Sequence, residues 1–585
     1  MPGRQPLFPW YKLSVRLGLA RLYPIRERLR RKNLHDTAAV PSKPLPEPGP
    51  PPPRALVART ADGAYNDLDH PTMGRAKTRF GRNVPLEKTK VDDASLLDPS
   101  PREVSRELLT RDTFKPATIL NLLAAAWIQF EVHDWFSHGS NDHTRTIDVP
   151  LAPDDPWPSA DRVMPVERTR PDFTRLATAD PTIPTFTNRE THWWDASQVY
   201  ASDIETQLKL RSGVDGKLTL DAAGLLPEDP SHPGLDLTGV NGNYWVGLSL
   251  LHHLFALEHN ALCDRFKQEF PSWSDDELFD KARLVNSALI AKIHTIEWTP
   301  GIMPHPTVKA AMFGNWYGIA DRIYQHLGRI GKDILTGIPG SDTDHHAAPY
   351  AITEDFVAVY RMHPLVPDDL VFQSLDPGRQ PESLEFPDIA GSRTRGVVTR
   401  FGLPDLFYSF GLLHPGAITL NNFPRHLQRL KQDGAPDLDL GTIDLLRDRE
   451  RGVPRYNEFR RLFDMPAVKS FEALTTDPAV AARIKRVYGN DIEKVDLLVG
   501  LLAEPLPEGF GFSETAFRVF VLMASRRLKS DRFFTRDYRP EIYTKTGIDW
   551  IEQNTMGTVL RRHFPMLAPA LEGVDNAFAP WKPVR

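Results

Sequence analysis

The stretch Val359-Tyr360-Arg361-Met362-His363-Pro364-Leu365-Val366-Pro367-Asp368 is the one around which the chain is read. Tyr360 and His363 are three residues apart, and on a helix that spacing puts both side chains on one face, about 5–6 Å apart at Cβ. Pro364 follows at once and disfavours helical backbone at the residue before it, so His363 is expected at or near the end of a helical run. A neutral histidine nitrogen is a ligand for metals, haem iron included, and a phenol beside such an iron can be oxidised to a radical. Taken alone, Tyr-x-x-His more often records a packed tyrosine and a hydrogen-bonded core histidine, so its meaning depends on the rest of the chain.

At 585 residues the chain exceeds the usual size of a single small core, so it is either a large enzyme body or several domains. Hydrophobic residues make up 41% and charged residues 25%, an ordinary globular composition, and a net charge of −5 gives no case for nucleic acid as partner. The single cysteine, Cys263, excludes internal disulfides and any cysteine-built zinc or iron–sulfur site within the chain, and it fits a reducing compartment. No G-x-G-x-x-G after a strand and no G-x-x-x-x-G-K-[ST] is present, so nucleotide binding has no support.

Residues 1–59 differ from the remainder. The first 37 are basic and partly apolar, with Val15, Leu19 and Leu22 at helical spacing and Arg16 and Arg21 between them. This is either a basic amphipathic helix lying on an anionic membrane surface or a helix packed on the body. No apolar run approaches the ~18 residues of a bilayer span, and the apolar core is too short and charged for a secretory signal. A cytoplasmic or peripherally membrane-associated protein is therefore expected. Residues 41–53 are proline-rich and read as an extended linker. From about residue 60 to 585 the chain reads as one body, mainly α with little β. Helical patterns cover 118–136, 245–270, 275–297, 356–363, 479–487, 492–502 and 515–528, joined by long loops such as 148–185 and 375–394.

Two further constellations lie upstream. In Trp127-Ile128-Gln129-Phe130-Glu131-Val132-His133-Asp134, Gln129 and His133 share a helix face, and a proton-carrying histidine beside a hydrogen-bonding amide suits cleavage of a peroxide O–O bond. In Thr191-His192-Trp193-Trp194-Asp195-Ala196-Ser197, the side chains of Thr191, Asp195 and Ser197 fall on one side of an extended chain. With the Trp193 carbonyl, and with Asp134 as a second carboxylate, they would make most of a calcium shell. Singly, each also reads as a common amphipathic helix or a polar loop anchored by Trp193 and Trp194.

In combination the motifs are distinctive. Q-F-x-x-H-D, T-x-W-W-D-x-S-Q-x-Y, Glu258-His259-Asn260 with Cys263-Asp264, and Y-R-M-H-P-L-x-P-D occur in the order found in the animal-type haem peroxidase superfamily, which includes the cyclooxygenases, and the chain resembles it. Further runs, at 80–85, 291–299, 525–528, 531–535 and 561–565, resemble the fatty acid alpha-dioxygenases, and the resemblance extends over roughly residues 33–565.

That resemblance implies a large haem-peroxidase-like helical domain with one haem b and one structural calcium. His363 corresponds to the proximal iron ligand, His133 to the distal histidine, Gln129 to its hydrogen-bonding neighbour and Tyr360 to the radical tyrosine. Asp134, Thr191, Trp193, Asp195 and Ser197 correspond to the calcium site. His294, Thr299 and Arg527 correspond to the groups that hold the substrate carboxylate, with Arg526 as Arg527's rival. Arg527 offers a fork matched to a carboxylate. His294 and Thr299, five apart, would splay on a straight helix, and Pro300 is expected to end the helix at Thr299 and let them converge.

The implied partners are a long-chain fatty acid, O2 and a peroxide activator, acting on a monomer. The residue before His133 is Val132, with no acid there for a covalent haem link, and no clear distal arginine precedes Glu258, so a non-covalent haem and no halide oxidation are expected. A haem peroxidase, or a dioxygenase attacking another carbon, is the alternative; a non-catalytic interaction protein is the remote third.

Overall fold

The computed structural model describes residues 9–318, 337–432 and 435–584, and several of the helices that build the site are largely buried. The helix α1 (Val15–Lys32) opens the chain. Helix α2 (Leu123–Trp135) begins with Leu-Ala-Ala-Ala, strong helix formers, and is buried except along Gln129, Val132 and His133. Helix α3 (Val246–Glu269) is buried without interruption over its first eleven residues, as expected of a core helix and not of an amphipathic surface one. Helix α4 (Asp275–Ile293) starts at a Ser274/Glu277 capping box with Asp275, Asp276 and Glu277 in the first turn, where acids oppose the helix dipole. The short helix α5 (Glu354–Val359), α6 (Leu440–Glu450), capped by Asp439, and α7 (Glu514–Ser530), capped by Ser513, complete the set that builds the site.

Strand content is confined to three two-stranded antiparallel ribbons among the described residues: β1 (Asp142–Pro150) with β2 (Val163–Arg168), β3 (Asp369–Phe372) with β4 (Glu382–Glu385), and β5 (Leu430–Gln432) with β6 (Ala435–Leu438). The fold is thus mainly α, as expected. The first ribbon closes most of the 148–185 loop on itself and buries Ile147, Val149, Met164 and Val166 in a small core of its own.

The proline-rich stretch does not hang free. His35 bridges to Arg82 and Ser42 to Arg175, the Tyr65 hydroxyl donates to the Pro48 carbonyl at 2.7 Å, and Arg54 forks onto Asp280. Helix α1 buries Leu22, Leu29 and Arg30, and Arg30 donates to Ser525 on α7 at 2.9 Å. Its packing on the body decides between the two readings of this helix for that face, while Leu17 and Tyr23 stay exposed on the other. No helix among the described residues is long and apolar enough to cross a membrane.

Candidate active site

Trp135, the last residue of α2, is where the predicted residues meet. Its buried ring lies 5.2 Å from the ring of Tyr360, 5.5 Å from Phe356 and 5.2 Å from His294. The Arg527 guanidinium sits 3.9 Å above it. A second indole, Trp194, stands edge-on to Trp135 at 5.9 Å, with Arg527 at 4.2 Å and His294 at 5.2 Å. Three residues far apart in sequence, brought by α4, α5 and α7, therefore share two aromatic walls.

The segment bearing Tyr360 departs from expectation. Helix α5 ends at Val359, Tyr360 is its C-cap, and His363 opens a separate 3-10 turn, His363–Leu365. Tyr360 and His363 are thus not on one helix face: the helix ends well before His363, the one residue that Pro364 restricts directly. Burial pushes the Tyr360 phenol's pKa up, so it stays a neutral hydroxyl with its hydrogen in place.

Arg527 is 1% exposed, yet its Nε and Nη2 have no hydrogen-bond partner. A buried, unpaired cation is costly, and the indole faces compensate only in part, by about 2 kcal/mol each at most. Adjacent Arg526 is committed instead, its Nη2 donating to the carbonyls of Ala348 at 2.7 Å and Pro349 at 3.0 Å. The fork left free for an anion is that of Arg527.

The route by which His294 and Thr299 converge also differs from expectation. The helix does not stop at Thr299: α4 passes into a π turn, His294–Trp298, and resumes as Thr299–Ile302 with Pro300 in its first turn. In a π turn the hydrogen bond runs from i to i+5, so residues five apart come near one face, and no helix end is needed. The Thr295 hydroxyl is satisfied by the Ala291 carbonyl at 2.7 Å, whereas the buried Thr299 hydroxyl has no partner. Trp127 Nε1, which can only donate, gives its proton to His294 Nδ1 at 3.2 Å. That leaves Nε2 as the N–H of His294, a donor, and burial followed by the nearby Arg527 holds the ring well below its ordinary pKa, hence neutral.

On the other side of α2, His133 is partly exposed, its Nδ1 is buried and unpartnered, and burial lowers its pKa to about 4. Gln129 is not bonded to it. The amide oxygen accepts from Trp245 Nε1 at 2.8 Å and the amide nitrogen donates to the Asn243 carbonyl at 3.1 Å, so its role as a hydrogen-bonding neighbour is largely pre-empted. His363 is 31% exposed and its Nδ1 lies 2.7 Å from Asp444 on α6, too far off the N–H axis for a regular hydrogen bond. Burial would raise the Asp444 carboxyl, but His363 and Arg361 outweigh it and keep it ionised. A carboxylate behind Nδ1 directs Nε2 outward as the ligand nitrogen. Two neutral-capable imidazoles with open faces, one backed by a carboxylate, fit a haem.

The residues expected to offer oxygen ligands gather around a kink. The chain from Thr191 is bent rather than extended, Ala196 takes φ +60°, and Ser197 starts a short helix, Ser197–Tyr200. That turn brings the Ser197 backbone N–H to Asp134 Oδ1 at 2.6 Å and the Thr191 hydroxyl to Asp195 Oδ1 at 2.9 Å. Asp134 Oδ2 is buried and unpartnered, and burial and then Asp195 raise its pKa well above the ordinary range. Paired carboxyls with hydroxyls and an orphaned oxygen suit a hard cation. The contacts of Asp444, Glu131, Trp127, Trp135 and Trp194 were not anticipated. Of these only Glu131 and Trp135 carried a signal, an i,i+4 spacing on the His133 helix.

A family model described as animal haem peroxidase matches residues 58–573. The chain is 38% identical to an alpha-dioxygenase (PIOX) of Oryza sativa subsp. japonica, over 98% of this chain and 93% of that one. It is 37% identical to alpha-dioxygenase 1 of Arabidopsis thaliana, over 99% and 91%. It is also similar to the crystal structure of an Oryza sativa fatty acid alpha-dioxygenase, a tyrosine-to-phenylalanine variant with palmitic acid, at a TM-score of 0.89 and 38% identity, covering 98% of this chain and 95% of that one.

Proposed function

The chain belongs to the animal haem peroxidase family and to its fatty acid alpha-dioxygenases, and on that premise we propose how its residues oxygenate a long-chain fatty acid at C2. It is a haem-dependent oxidoreductase. His363 would hold the haem, which when bound would supply one-electron oxidising power after reaction with a peroxide activator. His133, neutral because it is buried, accepts and returns the activator's proton. Tyr360, a neutral phenol, would give up its O–H hydrogen (one electron and one proton) to that oxidised group and so become the radical.

The substrate carboxylate docks on Arg527 Nε and Nη2, His294 Nε2 and the Thr299 hydroxyl. The unpaired, buried Arg527 fork beside Tyr360 is the observation that carries this reading. A clamp this close to Tyr360 leaves only the first methylenes within its reach. Tyr360 takes a hydrogen from C2, O2 adds to the carbon radical, and the peroxyl regains hydrogen from Tyr360. The product is a 2-hydroperoxy acid, which loses CO2 and water to give the aldehyde one carbon shorter.

Asp134, Thr191, the Trp193 carbonyl, Asp195 and Ser197 would hold a calcium ion, whose part would be to fix the end of α2 and not to do chemistry. The exposed Leu17 and Tyr23 of α1, with Arg16, support peripheral contact with a membrane surface. Incubation with a saturated fatty acid, aerobic against anaerobic, tests the assignment by product mass. Such a substrate has no activated allylic hydrogen, so oxygen at C2 in the aerobic arm alone is expected. Oxygen at any other carbon overturns it.

A further inference from the structure

Glu131 has no part in the mechanism above, yet it is a fully buried carboxyl in the middle of the site helix. Burying an acid there is costly unless its oxygens are used. One is: Trp194 Nε1 donates to Glu131 Oε2 at 2.8 Å. The other, Oε1, is buried and unpartnered, and so is Trp135 Nε1. Glu131 and Trp135 are four residues apart on α2, hence on one face one turn apart. Burial, and then the Asp134 carboxyl, push the Glu131 carboxyl well above its ordinary range; the Trp135 N–H is among the groups that oppose the rise, which puts it beside the carboxyl although short of a regular hydrogen bond. The orphan oxygen and the orphan indole N–H are each other's available partners.

These are the two indoles that carry the Arg527 guanidinium, at 3.9 Å and 4.2 Å. Arg527 has no ion-pair partner among the described residues; its fork lies in the corner formed by these two indoles, set at 89° to each other, with the Tyr350 hydroxyl also in hydrogen-bonding reach. We propose that Glu131 is a positioning residue for the substrate carboxylate: by tying down the edges of Trp194 and Trp135 it sets where the Arg527 fork points. A carboxyl and a carboxamide offer the same acceptor at this place, whereas an aliphatic side chain offers none and leaves the Trp194 N–H unsatisfied in a dry site. The effect is expected on the binding of an acid, because the indoles whose edges Glu131 holds are those that carry the Arg527 guanidinium.

This inference rests on Arg527 as the carboxylate clamp, and the experiment separates the two. Holoenzyme variants Glu131→Leu, Glu131→Gln, Trp194→Phe and Arg527→Ala are titrated anaerobically with palmitate and with 1-hexadecanol by calorimetry, and assayed with palmitate for KM and kcat. Glu131→Leu is expected to raise the palmitate Kd and KM about five- to tenfold with kcat within about twofold and hexadecanol binding unchanged. Glu131→Gln should restore wild-type values, and Trp194→Phe, which keeps a ring but loses the N–H, should match Glu131→Leu. If Glu131→Leu does not fold, the Gln and Phe variants carry the same comparison. Loss with Glu131→Gln equal to that of the other variants, equal weakening toward hexadecanol, or wild-type palmitate binding in Trp194→Phe overturns the proposal while Arg527→Ala still abolishes palmitate binding. Palmitate binding that survives Arg527→Ala instead removes the clamp reading itself.

Discussion

The Arg527 guanidinium lies 3.9 Å above the ring of Trp135, the same indole whose ring is 5.2 Å from that of Tyr360. The anion site and the radical site therefore have one wall in common, and their separation is set by a rigid buried side chain. Arg527→Ala should raise KM for a saturated fatty acid by roughly ten- to a hundredfold, the worth of about 1.5–3 kcal/mol for a charged hydrogen bond. Arg527→Lys should recover little, because a point charge neither forks onto a carboxylate nor stacks between indoles. Steady-state kinetics check both; a Lys variant with wild-type KM would contradict the stacked-fork geometry.

Tyr360→Phe removes the phenol hydroxyl of the residue packed against that wall. Product formation from a saturated fatty acid should fall to background while the haem absorbance band and peroxide consumption persist, since His133 and His363 are untouched. Formation of 2-hydroperoxide by this variant would refute the role of the tyrosine.

Asp444 is the residue behind His363, at 2.7 Å from its Nδ1. Asp444→Asn removes the negative charge that raises the basicity of the ligand nitrogen. Removing such a supporting group typically weakens metal affinity about 10–100-fold. Haem titration of the apoprotein, followed by the Soret band, should give that loss with no change in fatty-acid KM once the site is saturated.

How much of this could be read beforehand depended on whether a residue's role is local. The helices α3, α4 and α7 start close to where helical periodicity puts them, because a continuous apolar run is local physics. The end of the Tyr360 helix was misjudged by four residues and the π turn at His294 not foreseen, since both are set by packing against Trp135 and Trp298, which no spacing rule encodes. Ordered motifs point to His133, His363, Tyr360 and Arg527 as candidates, whereas Asp444, eighty-one residues beyond His363, becomes visible only when α6 packs behind it. Choosing Arg527 over Arg526 required the carbonyls that engage Arg526.

The calcium assignment makes a thermodynamic prediction. A cation bound by the folded chain alone stabilises it by about 2.7 kcal/mol at a hundredfold excess over Kd. Unfolding temperature should therefore rise with added Ca2+ and fall with a chelator in the wild type, while Asp134→Ala should show neither response. An unchanged melting curve in both conditions would rule out the site on Asp134 and Asp195.

Acid sensitivity should follow from His259, which is locked neutral. Its Nδ1 accepts from the Tyr200 hydroxyl at 2.9 Å, its Nε2 donates to the Gly216 carbonyl at 2.9 Å, and the Tyr200 oxygen already accepts from Asn286 at 2.8 Å. Burial is the main reason its pKa drops to about 4 from 6.5. The unfolded chain binds a proton there below about pH 6.5, and the folded chain does not until about pH 4. Stability from this group is therefore complete above pH 6.5 and is lost as pH falls from 6.5 toward 4, by on the order of 3 kcal/mol over the window. Denaturant midpoints at pH 7.5 and 5 should differ accordingly in the wild type. The difference should shrink in His259→Gln, which is less stable at pH 7.5 but has no proton to take up; an equal pH dependence in both proteins would show that His259 titrates normally in the fold.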